Sequence, residues 1–394
     1  MKILHVIPNI DVRHGGSVAS CLGLCRELAR QGDDVAICAA GEQRPAGDGE
    51  GRQTDGVRIF DVPMSRGPYG VSVAMFNALR RVIPAVDIVH IHGIYRFHLP
   101  AAAALCVYHG VPYVVKPHGS LDPFLFRVRR WRKAAPEWLF VEPSLGHASA
   151  VHFTSAEEMM LAASTGIFQH ASGGTVANAI IVPEGVTFDA ANDIAPEEFV
   201  EAHPETRGMR LVLFLGRINF KKGLDILAKA FALASRKRDD LWLVIAGPDN
   251  EGYASQVRGW LGAAGVLKRS TFTGMLVGRH KQVAYRAAAV FVLPSYTENF
   301  GMTIMEALNY GCPVVISTKV NIWRDLKVAG AGIVTECDAA QVAEAILKVV
   351  ENPVAAREMV QRGRELVRRF SWESVAADMR AHYRGLVRAA ALEA

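Results

Sequence analysis

Short runs rich in Val, Ile and Leu alternate with longer stretches of helical periodicity, and the alternation is played through twice along the chain. The first series opens with KILHVIP (2–8). A helical pattern follows from Ser17 to Gln31, with Val18, Leu22, Cys25 and Leu28 on one side, and then come DVAICAA (34–40), DIVHIHG (87–93), PYVVKPHG (112–119) and VHFTS (151–155). Runs that are apolar on both sides belong in a parallel sheet covered by helices on each face, so the pattern predicts a doubly wound α/β domain. The acidic, Ala/Pro-rich stretch 189–210 has no strand periodicity and reads as a linker carrying a short helix. The second series follows it: LVLFLGR (211–217), LWLVIAG (241–247), STFTG (270–274), VFVLPS (290–295), PVVIS (313–317) and GIVTE (332–336), with helices expected at 222–235, 253–264, 279–288 and 302–310. Two Rossmann-like domains, 1–190 and 191–370, are therefore expected. Residues 371–394 form an amphipathic helix capped by Ser371, with Val375, Met379, Tyr383 and Leu386 on its apolar face; it is expected to pack back on the first domain.

Composition narrows the function. Of 394 residues 50% are hydrophobic and 21% charged, which excludes a chain dominated by disorder, collagen repeats or coiled coil. A net charge of +5, concentrated in the second half, is too small for a general nucleic-acid binder but compatible with a local anion site. Cys21, Cys25, Cys38, Cys106, Cys312 and Cys337 have no CxxC pair and no metal-ligand spacing, and read as reduced core thiols, Cys21 and Cys25 as a packed pair. The opening MKILHVIPNI reads as a buried strand rather than a signal segment, and the tract from Leu99 to Val115 is broken by Pro100, His109, Gly110 and Pro112. A cytoplasmic setting and no metal are expected.

The most informative segment is PSYTENFGMTIMEALNYGCPVVIS (294–317). A buried strand ends at Leu293, a glycine-containing loop follows, and a helix starts near Met302. The free amides of about 299–303 then converge on an anion site. Glu298 and Glu306 bracket that helix start, and carboxylates accept hydrogen bonds well from hydroxyls. The second segment, LFLGRINFKKG (213–223), puts Arg217 and Lys222 at a loop-to-helix junction where two cations can hold a pyrophosphate.

E-N-F-G-x-x-x-x-E after P-S, followed by A-L-x-x-G-x-P-V-V, resembles the glutamate pair of retaining, nucleotide-sugar-dependent glycosyltransferases of the GT-B, family 4-like (group 1) type found in bacterial surface-polysaccharide synthesis. The resemblance covers nearly the whole chain. It implies two Rossmann-like domains facing an interdomain cleft, with Glu298 on donor-sugar hydroxyls and Glu306 on the ribose. It also implies that the amides around Asn299, Phe300, Gly301, Met302 and Thr303 receive the sugar and phosphate, and that Gly216, Arg217, Lys222 and Gly223 hold the diphosphate. Met275 and Leu276, with Val277, fall where the family flanks the nucleobase; nothing in them chooses uracil or guanine.

In the first domain the resemblance assigns Gly15 and Gly16 of RHGGSV to a loop over the donor and His118, before Gly119, to the reacting sugar. His92 of HIHG is offered to the same cleft as an acceptor contact, while His90 reads as structural. Ser155 and Glu157 of TSAEE are polar candidates that helix capping explains equally well. PEGV (183–186) departs from the family's P-N-G-V by Glu184, and no contact is carried over to it. The segment FRVRRWRKAAPEWLF (126–140) gathers Arg129 and Arg130 with other cations around Trp131, a composition suited to an anionic membrane surface or a lipid-linked acceptor.

The expectation is a hexosyltransferase. It takes a GDP- or UDP-linked sugar as co-substrate, needs no cofactor or metal, and transfers to a saccharide or lipid-linked saccharide with retention, in exopolysaccharide, O-antigen or lipopolysaccharide synthesis. It is expected to work in the cytoplasm, with peripheral contact at the inner face of the membrane. A nucleotide-sugar epimerase of the same architecture and a non-catalytic sugar-binding protein are the rival readings. A dehydrogenase is disfavoured, because no GxGxxG follows the first strand.

Overall fold

The computed structural model describes residues 1–11, 16–41, 51–63, 67, 69–127, 137–168, 178–188 and 194–393. The chain divides into two units, one made of Met1–Gly185 with Trp372–Ala394, the other of Val186–Ser371. Gly15, Arg129, Arg130 and Trp131 lie outside the described residues.

The first unit is built on eight strands: β1 (Lys2–Asn9), β2 (Asp34–Gly41), β3 (Arg52–Thr54), β4 (Val57–Pro63), β5 (Ile88–His92), β6 (Tyr113–Lys116), β7 (Ala150–Phe153) and β8 (Ala179–Ile181). Their order across the sheet is β3-β4-β2-β1-β5-β6-β7-β8, and only the β3–β4 pair is antiparallel. Successive residues of a strand face opposite sides. Leu4 and Val6 thus enter one core with Leu79, Leu99 and Leu105, while Ile3 and Ile7 enter another beneath the helix Gly16–Arg30 and the C-terminal helix Trp372–Glu393. The first of these helices buries Val18, Cys21, Leu24, Cys25 and Leu28, at about 1.5–3 kcal/mol for each large aliphatic side chain.

The C-terminal helix lays Val375, Ala376, Met379 and Tyr383 into that second core, and Arg380 pairs with the buried Asp33 at 2.9 Å. Its first residue, Trp372, slots its indole between two glycines. A Cβ on Gly23 would come within 2.1 Å of the ring and one on Gly185 within 2.2 Å.

The second unit has six strands, all parallel: β9 (Arg210–Leu215), β10 (Leu241–Ala246), β11 (Ser270–Gly274), β12 (Ala288–Leu293), β13 (Val314–Ser317) and β14 (Ile333–Thr335). Their order is β11-β10-β9-β12-β13-β14. The winding reverses between β9 and β12, so the loops leaving these two neighbours run to opposite sides and open a crevice at their carboxyl ends. Both the Arg217/Lys222 and the Glu298/Glu306 segments leave from those ends.

β3, β4 and β8 were not among the expected strands. β3 is a short, largely exposed edge, and the Asp and Pro in VRIFDVP blur the apolar run of β4. The apolar tract after Leu99 forms the helix His98–His109, closed by Gly110 in the left-handed conformation. No helix among the described residues is long and apolar enough to cross a membrane. The six cysteines are free thiols, buried except for the half-buried Cys337.

The Trp372 slot gives a direct test of the packing. Gly23→Ala drives a methyl group into an indole that Gly185 prevents from retreating. It is expected to cost about 1–3 kcal/mol, read as a lowered urea midpoint against the wild-type chain.

Candidate functional site

In the second unit β9 ends at Leu215, and the chain turns through Gly216 and the exposed Arg217. Asn219 starts a turn of 3-10 helix over Phe220–Lys222, its Oδ1 accepting from the amide of Lys221 at 3.0 Å. Gly223 follows at φ 65°, where a Cβ would sit 2.0 Å from the carbonyl oxygen of Pro294. The close approach, together with the bond from Tyr296 N to the Lys221 carbonyl (2.8 Å), stitches the loop after β9 to the loop after β12. Gly247 has a parallel role: a Cβ there would meet the Gly216 carbonyl oxygen at 1.9 Å.

That stitching brings Lys222 onto Glu298. The Lys222 ammonium donates to Glu298 Oε2, and both side chains remain partly open to solvent. The backbone of Glu298 is fixed on both sides, its N–H donating to the Lys319 carbonyl and its own carbonyl accepting from Asn321, each at 3.0 Å. Asn299 Oδ1 accepts from Asn321 Nδ2 (3.2 Å), and Phe300 is buried edge-on against Phe370. Gly301, at φ 75°, turns the chain into the helix Met302–Asn309. The first amides of this helix, from Met302 and Thr303 on, have no intrahelical carbonyl to bond, and their dipole favours an anion.

Glu306 lies one turn further on. Its Oε1 accepts from Lys281 Nζ at 2.6 Å and its Oε2 from Tyr285 OH at 3.0 Å. Lys281 and Tyr285 are one turn apart on the helix Gly278–Ala287, so both carboxylate oxygens are aimed by a single element. Burial, then the Glu306 charge, push the Tyr285 phenol well up, so it stays a donor. Neither residue was picked out in the sequence; the i, i+4 Lys and Tyr was the available signal. Arg217 makes no ion pair among the described residues. In the loop after β11, Met275 and Val277 are exposed, while Leu276 is half-buried against the core.

In the first unit, the same reversal of winding falls between β1 and β5. Gly16 opens the helix after β1 and is exposed, with open space where a Cβ would stand. His118 follows β6 in the left-handed conformation (φ 53°). Its Nε2 meets Nδ1 of His92 at 3.0 Å, and His92 Nε2 meets His5 Nδ1 at 2.9 Å. His92 therefore has both ring nitrogens occupied and is 1% exposed. The expectation that it contacts an acceptor is corrected: it braces His118 from behind. His90 bonds the Tyr383 hydroxyl at 2.6 Å inside the core.

Glu184, set aside on the sequence, is the main addition. It is buried and ion-paired with the equally buried Lys116 at 2.9 Å, it accepts from the Ser20 hydroxyl, and its Oε1 stands 3.9 Å from His118 Nδ1. A lysine closing a buried strand needs a carboxylate, and Glu in place of Asn in PEGV was the sign of it. Among the TSAEE residues, Ser155 caps its helix, and it is Glu158 that reaches the site. The buried Glu158 carboxylate accepts from Gly119 N and Thr154 N at 2.7 Å each, fixing the turn that carries His118.

The β9/β12 crevice, with a lysine–carboxylate pair and a helix start beside it, is the kind of site doubly wound folds use for phosphate-bearing ligands. Residues 196–366 match the family described as glycosyl transferases group 1, and residues 15–170 match the glycosyl transferase 4-like domain; the chain belongs to the group 1 glycosyltransferases. Among relatives, phosphatidyl-myo-inositol mannosyltransferase of Mycobacterium leprae is 32% identical over 51% of this chain and 52% of that protein. In that alignment the chain spans about half the relative's length. GDP-mannose-dependent alpha-mannosyltransferase of Mycolicibacterium smegmatis is 28% identical over 78% of this chain and 76% of that protein. The structure of sucrose-phosphate synthase from Thermosynechococcus elongatus aligns with a TM-score of 0.76 at 20% identity, covering 99% of this chain and 100% of that one, which establishes the GT-B fold.

Two outcomes test the buried groups. Glu184→Gln leaves the Lys116 charge uncompensated and is expected to cost about 3–5 kcal/mol, whereas replacing the pair together by Met and Leu restores most of the loss, both read by urea unfolding. Burial holds His90, His118 and His152 well below the usual histidine range and pushes His98 down to about 4. At these histidines the unfolded chain binds protons before the folded one does, so their contribution to stability is full above about pH 6.5 and falls on acidification. His98 alone removes about 3 kcal/mol by pH 4, and unfolding midpoints measured from pH 8 to 4 check the direction.

Proposed function

We propose that this chain is a retaining glycosyltransferase that moves a hexosyl group from a GDP- or UDP-linked sugar to a saccharide or lipid-linked saccharide acceptor. The observation that carries the reading is the Lys222–Glu298 contact at the reversal of the second sheet, in a chain of the group 1 family. Names of relatives, both mannosyltransferases and one GDP-mannose-dependent, support mannose as the first sugar to try.

The donor diphosphate takes Lys222 away from Glu298 and recruits the exposed Arg217, while the amides that begin the helix Met302–Asn309 bind its oxygens. Freed of Lys222, Glu298 accepts from the sugar hydroxyls. Glu306, held by Lys281 and Tyr285, accepts from the ribose. As the anomeric C–O bond breaks, charge grows on the diphosphate and these donors stabilise it. The leaving phosphate oxygen takes the acceptor's hydroxyl proton on the face where the new bond forms, so retention requires no protein nucleophile. His118, neutral through burial, donates to a sugar hydroxyl. The first unit receives the acceptor. Its exposed Leu139 and Phe140, near in sequence to the basic run 127–133 and lining one groove with Tyr108, favour a lipid-linked one at the cytoplasmic face of the membrane, as in the synthesis of bacterial surface polysaccharides.

Calorimetry with GDP, UDP, ADP and NAD tests the reading. One nucleoside diphosphate is expected to bind selectively, and Glu306→Gln to weaken it by roughly 1.5–3 kcal/mol, or about 10- to 150-fold. Binding of NAD alone, or equal affinity in the folded variant, refutes the assignment.

A further inference from the structure

Beneath the helix Gly16–Arg30, Cys21 and Cys25 stand one turn apart with their sulfurs 4.0 Å from each other. His5, on β1, shares the sheet face that this helix covers. A ring nitrogen of His5 and the two sulfurs all lie within 4.8 Å of one another, and the three residues are at most 1% exposed. Nδ1 of His5 is engaged by His92, while its Nε2 is fully buried and, Cys21 aside, has no hydrogen-bond partner among the described residues. Buried ring nitrogens seldom go unsatisfied, and this one belongs to a cluster that also holds two thiols.

We propose that His5, Cys21 and Cys25 bind a zinc ion, an enclosed water taking its fourth position. Two sulfurs and an imidazole are a borderline-soft donor set, which suits zinc and excludes magnesium and calcium. Sulfurs at about 2.3 Å from one zinc at tetrahedral angles stand about 3.8 Å apart, close to the separation between Cys21 and Cys25. Charge decides in favour of the dication. When it binds, both thiols release their protons to solvent and two zinc–sulfur bonds form with no change of oxidation state. Two thiolates and a neutral imidazole then leave the buried site with no net charge, whereas a monovalent ion would leave an uncompensated anion in the core.

The surroundings are those of a metal-bound histidine. With Nε2 on the ion, Nδ1–H of His5 donates to His92, which fixes the ring's tautomer and orientation. The ligand pattern escapes a sequence search because the third donor comes from a strand upstream of the helix. Because the three residues are at most 1% exposed, the ion enters during folding. The site is independent of the donor-binding reading.

The full chain, expressed in zinc-supplemented medium and purified without chelator, is expected to carry about one zinc per chain by elemental analysis, and His5→Gln or Cys21→Ser with Cys25→Ser to carry less than a tenth. Refolding the wild-type chain with cobalt(II) is expected to give thiolate-to-cobalt charge transfer in the near ultraviolet, a readout that stands if the variants fail to fold. Wild-type chain that holds no zinc after refolding with it, zinc retained in the folded cysteine variant, or a cobalt spectrum without thiolate bands overturns the proposal.

Discussion

Parallel strands covered on both faces leave the chain only one place to do chemistry. Side chains in the middle of β1 or β9 are enclosed by helices, so polar groups that must meet a ligand collect where strands end and the winding changes direction. In the second unit this constraint puts the loops after β9 and β12 side by side, and glycine lets them touch. Gly223 against Pro294 and Gly247 against Gly216 are backbone-to-backbone approaches that no side chain fits. The Lys222–Glu298 contact follows from the first of them, while the second ties the loop after β10 to the loop after β9.

The first unit bends this constraint. One face of its sheet carries a row of polar groups across the strands: His5, His90, His92, Lys116 and His152, all at most 2% exposed. Hydrogen bonds link them in short chains, from His5 through His92 to His118 and from Tyr383 to His90. Burial keeps the imidazoles neutral where it depresses them, and the one formal charge in the row, on Lys116, is matched by Glu184. Such a network is costly wherever a member is left unsatisfied, and its chain of hydrogen bonds ends on His118, whose backbone is in a conformation that few residues adopt.

Much of this was legible beforehand because it depends on local pattern. Apolar runs alternating with helical periodicity disclosed the two sheets, and the glycine-containing loop after Leu293 disclosed the helix start. What stayed hidden depends on contacts across the sheet. Lys281 and Tyr285 matter only because their helix lies beside Glu306. His92 is read as a ligand contact from its place in HIHG, and only the neighbouring strand and turn, bringing His5 and His118, show that it is enclosed. Glu184 looked like a lost contact, since its partner Lys116 lies 68 residues earlier. The short edge strand β3 was missed because an exposed edge carries little apolar signal.

The second unit is an insertion within the first, because Trp372 and the helix it begins complete a core started at Ile3. A ribosome therefore releases the whole sheet of the first unit before the residues that cover part of it have been made. Until then the patch awaiting Val375, Met379 and Tyr383, and the slot between Gly23 and Gly185, face the surrounding medium. The inserted unit has all of its own strands and can fold meanwhile, so the order of completion runs from the middle of the gene product outward. A stop codon a few dozen residues early would leave the second unit's sheet intact and strip the first of its cover.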